Sequence, residues 1–161
     1  MVRTFMIAVA SAGILMLSPT AFGQQSSRGG GTADEAKAMS MRAVAAVKAD
    51  KTKALEMFNK GEGGFLDRDL YPFCYNIGDG KLVAVGNPNA KQLLGRDVRT
   101  FKDATGKMFG LEQYLATEKS EGKIVESSYM FPRPGADRTQ VQKVSFATRV
   151  GDLTCGVGYY K

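Results

Sequence analysis

The stretch Asp69–Gly86, DLYPFCYNIGDGKLVAVG, decides the fold. Tyr71, Phe73 and Tyr75 alternate with Pro72, Cys74 and Asn76. A period of two is the signature of a half-buried strand. Gly78-Asp79-Gly80 is a strong turn signal, and a second apolar run follows it. The pattern predicts a hairpin with strands at residues 69–77 and 81–86. One face of its first strand carries three aromatics. The other carries a cysteine.

On the C-terminal side, three further strands are expected: KIVESSYMF, TQVQKVSFATRV and LTCGVGYYK. They are separated by PRPGADR and by Gly151-Asp152, so they form a meander of antiparallel neighbours. Between hairpin and meander lies NPNAKQLLGRDVRTF, long and irregular, of the kind that covers a pocket or crosses a sheet edge. A helix is predicted at residues 108–119, where Phe109, Tyr114 and Leu115 fall at roughly helical spacing. On the N-terminal side, Thr32 and Glu35 form a capping-box pattern. Ala36, Met39, Ala43, Val44 and Val47 then share one face of a helix at residues 33–49. Asp50 or Thr52 caps a shorter helix through KALEMFNK, ended by Gly61.

The extreme N-terminus reads as an address. Arg3 precedes the apolar run FMIAVASAGILML, too short to span a bilayer comfortably, and Ala21 and Gly23 are small. This is the layout of a cleavable signal peptide over residues 1–23, cut after Gly23; the alternative is an uncleaved anchor. Residues 24–32, rich in Gln, Ser and Gly, read as a flexible leader, and residues 33–161 as a single domain. Export places the protein in the periplasm or outside the cell.

Composition excludes much chemistry. The chain has no histidine, which removes Ser-His-Asp and Cys-His catalysis and the usual zinc ligands. No haem attachment motif and no phosphate-binding glycine loop is present. DATGKMFGLEQY has too few oxygen ligands for a calcium loop. No enzyme activity, catalytic residue, metal or cofactor is expected. The net charge of +6 is dispersed along the chain, which argues against a nucleic-acid partner.

Helix, helix, hairpin, helix and meander make an α+β fold of the PAS or profilin kind. The expected architecture is a five-stranded antiparallel sheet in the order 2-1-5-4-3. The N-terminal helices would cover one face and the loop and helix segment the other.

The chain also resembles a single Cache domain, the extracytoplasmic relative of PAS sensor domains, over residues 33–161. The resemblance rests on FLDRDLYPFCYNIGDGKLVAVGNPNAKQLLGRDV, FKDATGKMF, SSYMFPRPG and QKVSFATRVGDLTCGVGYYK in that order. Two positions depart from it: Val85 stands where the family usually has histidine, and Phe131 where it usually has tryptophan before the Pro-x-Pro turn. The resemblance implies a stand-alone sensor of small molecules, often short organic acids. Up to Lys161 no output domain follows, so output is expected through a membrane histidine kinase or chemoreceptor.

In the expected strand order Cys74 and Cys155 lie on neighbouring strands, where a disulfide is geometrically reasonable; two free, buried thiols are the alternative. A bridge would put Leu70, Cys74, Leu153, Cys155 and Val157 on one face. Tyr71, Phe73 and Tyr75 would then share the other with Gly156, Gly158 and Tyr160. Large aromatics beside two glycines suggest either open volume for a ligand or a backbone bend. A carboxylate there needs donors and a cation. Lys143 and Arg133 are the candidate cations, and Tyr129 and Phe131 the candidate walls from the third strand. The rival functions are a thiol redox accessory built on the two cysteines and a purely structural envelope protein.

Overall fold

The computed structural model describes residues 29–135 and 137–161; the expected signal peptide and the first residues of the leader lie outside them. Helix α1, Ala33–Ala49, begins where the sequence sets its cap. The Thr32 hydroxyl accepts the Glu35 N–H, and the Glu35 carboxylate accepts the Thr32 N–H. Ala36, Met39, Ala43 and Val47 are buried, and the Ser40 hydroxyl among them donates to Phe146 O at 2.8 Å. Helix α2, Lys51–Lys60, is capped by Asp50, whose carboxylate accepts the Lys53 N–H. It stops at Gly61, which adopts φ 71°, a conformation glycine takes without steric cost.

Five strands follow: β1 Pro72–Asn76, β2 Leu82–Val85, β3 Ile124–Pro132, β4 Gln140–Val150 and β5 Leu153–Tyr160. Helix α3, Phe109–Glu118, lies between β2 and β3. The sheet runs β2-β1-β5-β4-β3, and every pairing is antiparallel. This is the expected order, with strands one and five in contact at its centre. Cys74 sits opposite Cys155, and a disulfide joins them with a Cα–Cα distance of 4.1 Å.

The bridge fixes the faces. Leu70, Cys74, Leu153, Cys155 and Val157 pack in one core with α1 and α2. Tyr71, Tyr75, Leu82 and Val85 point the other way and pack with Ala90, Val98 and Tyr114.

Residues 87–107 roof that second face. Two short 3-10 helices, Pro88–Leu93 and Val98–Thr100, shape the segment. Its backbone bonds along the outer edge of β2: Leu82 donates to Arg96 O, Gly95 to Leu82 O, and Val98 to Gly80 O. The Lys91 ammonium adds a bond to Val85 O at 2.5 Å. At the opposite edge of the sheet, the Asp103 carboxylate accepts the Met130 N–H of β3 at 3.0 Å. The roof is therefore fastened at both edges, and α3 packs beneath it. A Cβ at Gly110 would lie 1.9 Å from Val98 O, so only glycine allows this approach.

Candidate functional site

Between the aromatic face of the sheet and the roof lies a cavity of about 50 Å³, counted as space open to the centre of a water molecule. One water needs roughly 10–15 Å³ on that scale, so only a small molecule fits. Tyr71, Phe73 and Tyr75 from β1 and Tyr129 and Phe131 from β3 line it, with Lys143 of β4. Leu93, Val98 and Phe101 reach in from the roof, and Phe109 and Gln113 from α3. The wall is largely apolar, and among the described residues no acidic side chain contributes to it.

Lys143 is the polar centre of the site. Its residue is 2% exposed. Its ammonium donates to Tyr71 Oη at 2.7 Å and to Tyr160 Oη at 3.3 Å. It lies 4.0 Å from the Tyr71 ring centroid, 4.7 Å from that of Tyr160 and 5.4 Å from that of Phe131. Among the described residues no carboxylate lies within 4.0 Å of it. Aromatic faces supply part of what a buried cation loses on leaving water. A negative charge is still missing.

Of the two hydroxyls around Lys143, one has its proton engaged and one does not. Tyr160 donates its proton to Pro132 O at 2.8 Å. Tyr71 accepts from Lys143 and, at 3.5 Å, from Asn87. Its own proton has only the Tyr160 oxygen at 3.4 Å as a partner, and is available to a ligand. Burial raises the Tyr71 phenol, but the Lys143 charge and the surrounding hydrogen bonds outweigh it, so Tyr71 ionises below the ordinary tyrosine value. Tyr160 is raised, by burial first and by its neighbour Tyr71 second. Deeper in, burial pushes Tyr75 up to about 12 despite its bond to the Thr117 hydroxyl.

The two glycines of β5 act differently from either expectation. The space above Gly158 is not open: a Cβ there would lie 2.5 Å from Lys143 Cε. The bare strand lets the lysine stem lie across it toward Tyr71. At Gly156 a Cβ would meet Phe146 O at 2.8 Å and Ala147 Cα at 2.9 Å, so that glycine serves close strand approach. The cavity lies to the side of both, among the aromatics.

Arg133 stands outside the cavity. It pairs with Asp69 at 2.5 Å and its guanidinium lies 4.9 Å over the Tyr160 ring. Asp69 also accepts the Gly31 N–H at 2.6 Å, which docks the end of the leader onto the entry to β1. Tyr160 does not border the cavity but holds Lys143 from behind. Beyond Leu93 and Phe131 lie two further hollows of about 170 and 150 Å³ on the same scale, one carrying Arg133 and Arg138, the other Arg96 and Lys102. Cations thus line both hollows next to the cavity and raise the local potential there.

Several lining residues escape a reading by strand pattern. Gln113 is the most polar of them. Phe109, Gln113 and Thr117 are all buried and four residues apart along α3. Two polar residues on that stripe were the available signal.

No family model matches the sequence, and no curated protein matches it. Solved structures do. A methyl-accepting chemotaxis protein from Vibrio parahaemolyticus RIMD 2210633 aligns with 79% of this chain and 86% of its own, at 23% identity and a TM-score of 0.62. A periplasmic sensor domain of a chemotaxis protein aligns with 79% of this chain and 88% of its own, at 21% identity and a TM-score of 0.58. A Cache chemosensory domain, solved to explain its recognition of carboxylic acids, aligns with 79% of this chain and 91% of its own, at 17% identity and a TM-score of 0.62. The fold of this chain is that of the Cache sensor domains.

Proposed function

We propose that the protein is an extracytoplasmic sensor domain whose cavity binds a short organic acid. The observation that carries this reading is the buried Lys143 ammonium, held by two tyrosine hydroxyls and, among the described residues, without a carboxylate partner. A ligand carboxylate completes the charge pair, accepting from the ammonium and from Tyr71 Oη. Such charge-assisted bonds are worth about twice neutral ones. The cavity admits only a few non-hydrogen atoms, which selects short acids. The carboxylic acid recognition described for one of the similar structures supports the same ligand class.

Occupancy has a path outward. Lys143 touches Tyr160, Tyr160 lies under Arg133, Arg133 pairs with Asp69, and Asp69 holds Gly31 at the start of α1. A ligand that draws Lys143 forward biases this set and the roof together. A membrane partner of the chemoreceptor or histidine kinase kind then reads the change. The thiol-based rival is disfavoured because both cysteines are fully buried, leaving no sulfur for a dithiol to attack.

A thermal-shift screen against short carboxylates, amino acids and purines tests the reading. A carboxylate at about a hundred times its dissociation constant stabilises by about 2.7 kcal/mol, several degrees in a domain of this size. A cooperative melt that no carboxylate moves sinks the proposal.

A further inference from the structure

Resting on the carboxylate reading, a second polar group decides which short acid is preferred. Gln113 is 4% exposed and lines the cavity from α3. Its amide nitrogen donates to Ser127 Oγ and to Ser145 Oγ, both at 2.8 Å, which uses both N–H groups. Ser127 and Ser145 are themselves 3.0 Å apart and face each other across β3 and β4. Together the two serines fix the amide. Among the described residues no hydrogen bond reaches Gln113 Oε1. No fully enclosed side-chain polar atom among them lacks a partner. That oxygen is therefore not sealed in the wall, and Gln113 is one of the residues that line the cavity.

We infer that Gln113 Oε1 is a specificity determinant that accepts a hydrogen bond from a hydroxyl on the acid, so that the site prefers a three- or four-carbon hydroxy acid. Three observations narrow the donor. Among the described residues no carboxylate lines the cavity, and the one buried cation is Lys143. A ligand ammonium would meet that cation with nothing to offset it, which excludes amino acids as the preferred class. A neutral hydroxyl satisfies the carbonyl without charge. The span also fits. Ser145, which holds the amide, is two residues along β4 from Lys143, a step of roughly 6–7 Å. A short acid with its carboxylate at Lys143 reaches its hydroxyl toward Gln113 over that length. An acid without a donor leaves the carbonyl stripped of water and unpaired, which is costly.

The test is calorimetric titration of the protein with L-lactate, propionate and pyruvate, repeated on Gln113→Met. Lactate is expected to bind the wild-type protein about tenfold more tightly than propionate. In Gln113→Met the two acids should bind within about twofold of each other, lactate having lost its acceptor and propionate no longer leaving a carbonyl unpaired. Equal binding of lactate and propionate by the wild-type protein overturns the inference and leaves the carboxylate site standing. A preference for lactate that survives Gln113→Met also overturns it. Tighter binding of pyruvate than lactate overturns it too, because the amide would then present its N–H groups. Silence from all three acids overturns the carboxylate reading and this inference with it. Should Gln113→Met fail to fold, Gln113→Leu takes its place under the same outcomes.

Discussion

Lys143 meets Tyr71 twice: its ammonium donates to the phenol oxygen at 2.7 Å and lies 4.0 Å from the centroid of the same ring. The pair makes acid binding depend on pH in a defined direction. Tyr71 ionises below the ordinary tyrosine value of about 10, because Lys143 outweighs its burial. Once ionised, Tyr71 neutralises Lys143 and loses the proton it offers a ligand. Affinity for a short acid should therefore be flat near pH 7 and fall as pH rises toward the Tyr71 ionisation. Titrations across that range, followed beside the ultraviolet absorbance of phenolate, check this. Tyr71→Phe should bind more weakly at pH 7 and lose the alkaline decline. A decline that persists in Tyr71→Phe assigns it to another group.

Gly158 should matter to binding more than to folding. An added methyl would sit 2.5 Å from Lys143 Cε and 3.0 Å from Val144 O. The flexible lysine stem is the part that can give way. Gly158→Ala is expected to push the ammonium off Tyr71 and weaken acid binding by about tenfold, with a small change in melting temperature. Titration and thermal denaturation of this single variant separate the two effects.

The Cys74–Cys155 bridge should support stability and leave binding alone. The two residues are 81 apart in sequence, and the chain-entropy model gives about 4–5 kcal/mol for a loop of that size. Both sulfurs face α1, on the side of the sheet away from the cavity. The Cys74→Ala, Cys155→Ala double variant should unfold at much lower denaturant while retaining acid affinity within a few-fold. Affinity lost in step with stability would mean that the two faces are coupled.

Asp103 fastens the roof to β3 and should do so above acidic pH only. The Thr105 hydroxyl first, then the Met130 N–H, hold its carboxyl at about 2, against an ordinary value of 3.8. A carboxylate depressed on folding stabilises the folded state above its unfolded pKa, and that contribution is lost as pH falls from about 4 through about 2. Asp103→Asn should melt a few degrees lower at pH 7, and the difference from wild type should shrink across that window. Melting temperatures of both proteins between pH 7 and 2 check it. A difference that grows on acidification would contradict the assignment.

The fold was legible because its signals are local. Thr32 with Glu35, Gly61, the Gly78–Gly80 turn and the alternation around Cys74 each act within a few residues. A bridge between two central strands then sorts the faces by the period of two. The site was legible in part. Tyr71, Phe73 and Tyr75 share a face by alternation, whereas Lys143 is only a candidate from sequence, because β5 lies between its strand and theirs and the face of β4 is not set by pattern. Gly158 reads as either open space or a bend because the sequence does not tell which side chain a neighbouring strand lays across it. Arg133 looked free for a ligand because Asp69, its partner, lies far away in sequence and meets it only in the folded sheet. Gln113 was missed because its role depends on two serines of different strands.

The most direct measurement is calorimetric titration of wild-type protein and Lys143→Met with propionate and with propionamide, which has nearly the same shape and no charge. The account predicts that the wild-type protein binds propionate and not propionamide, and that Lys143→Met loses about tenfold or more in propionate affinity while remaining folded. Equal affinity of the two proteins for propionate, or of the wild-type protein for the two ligands, would contradict the claim that a buried lysine charge holds a carboxylate in this cavity.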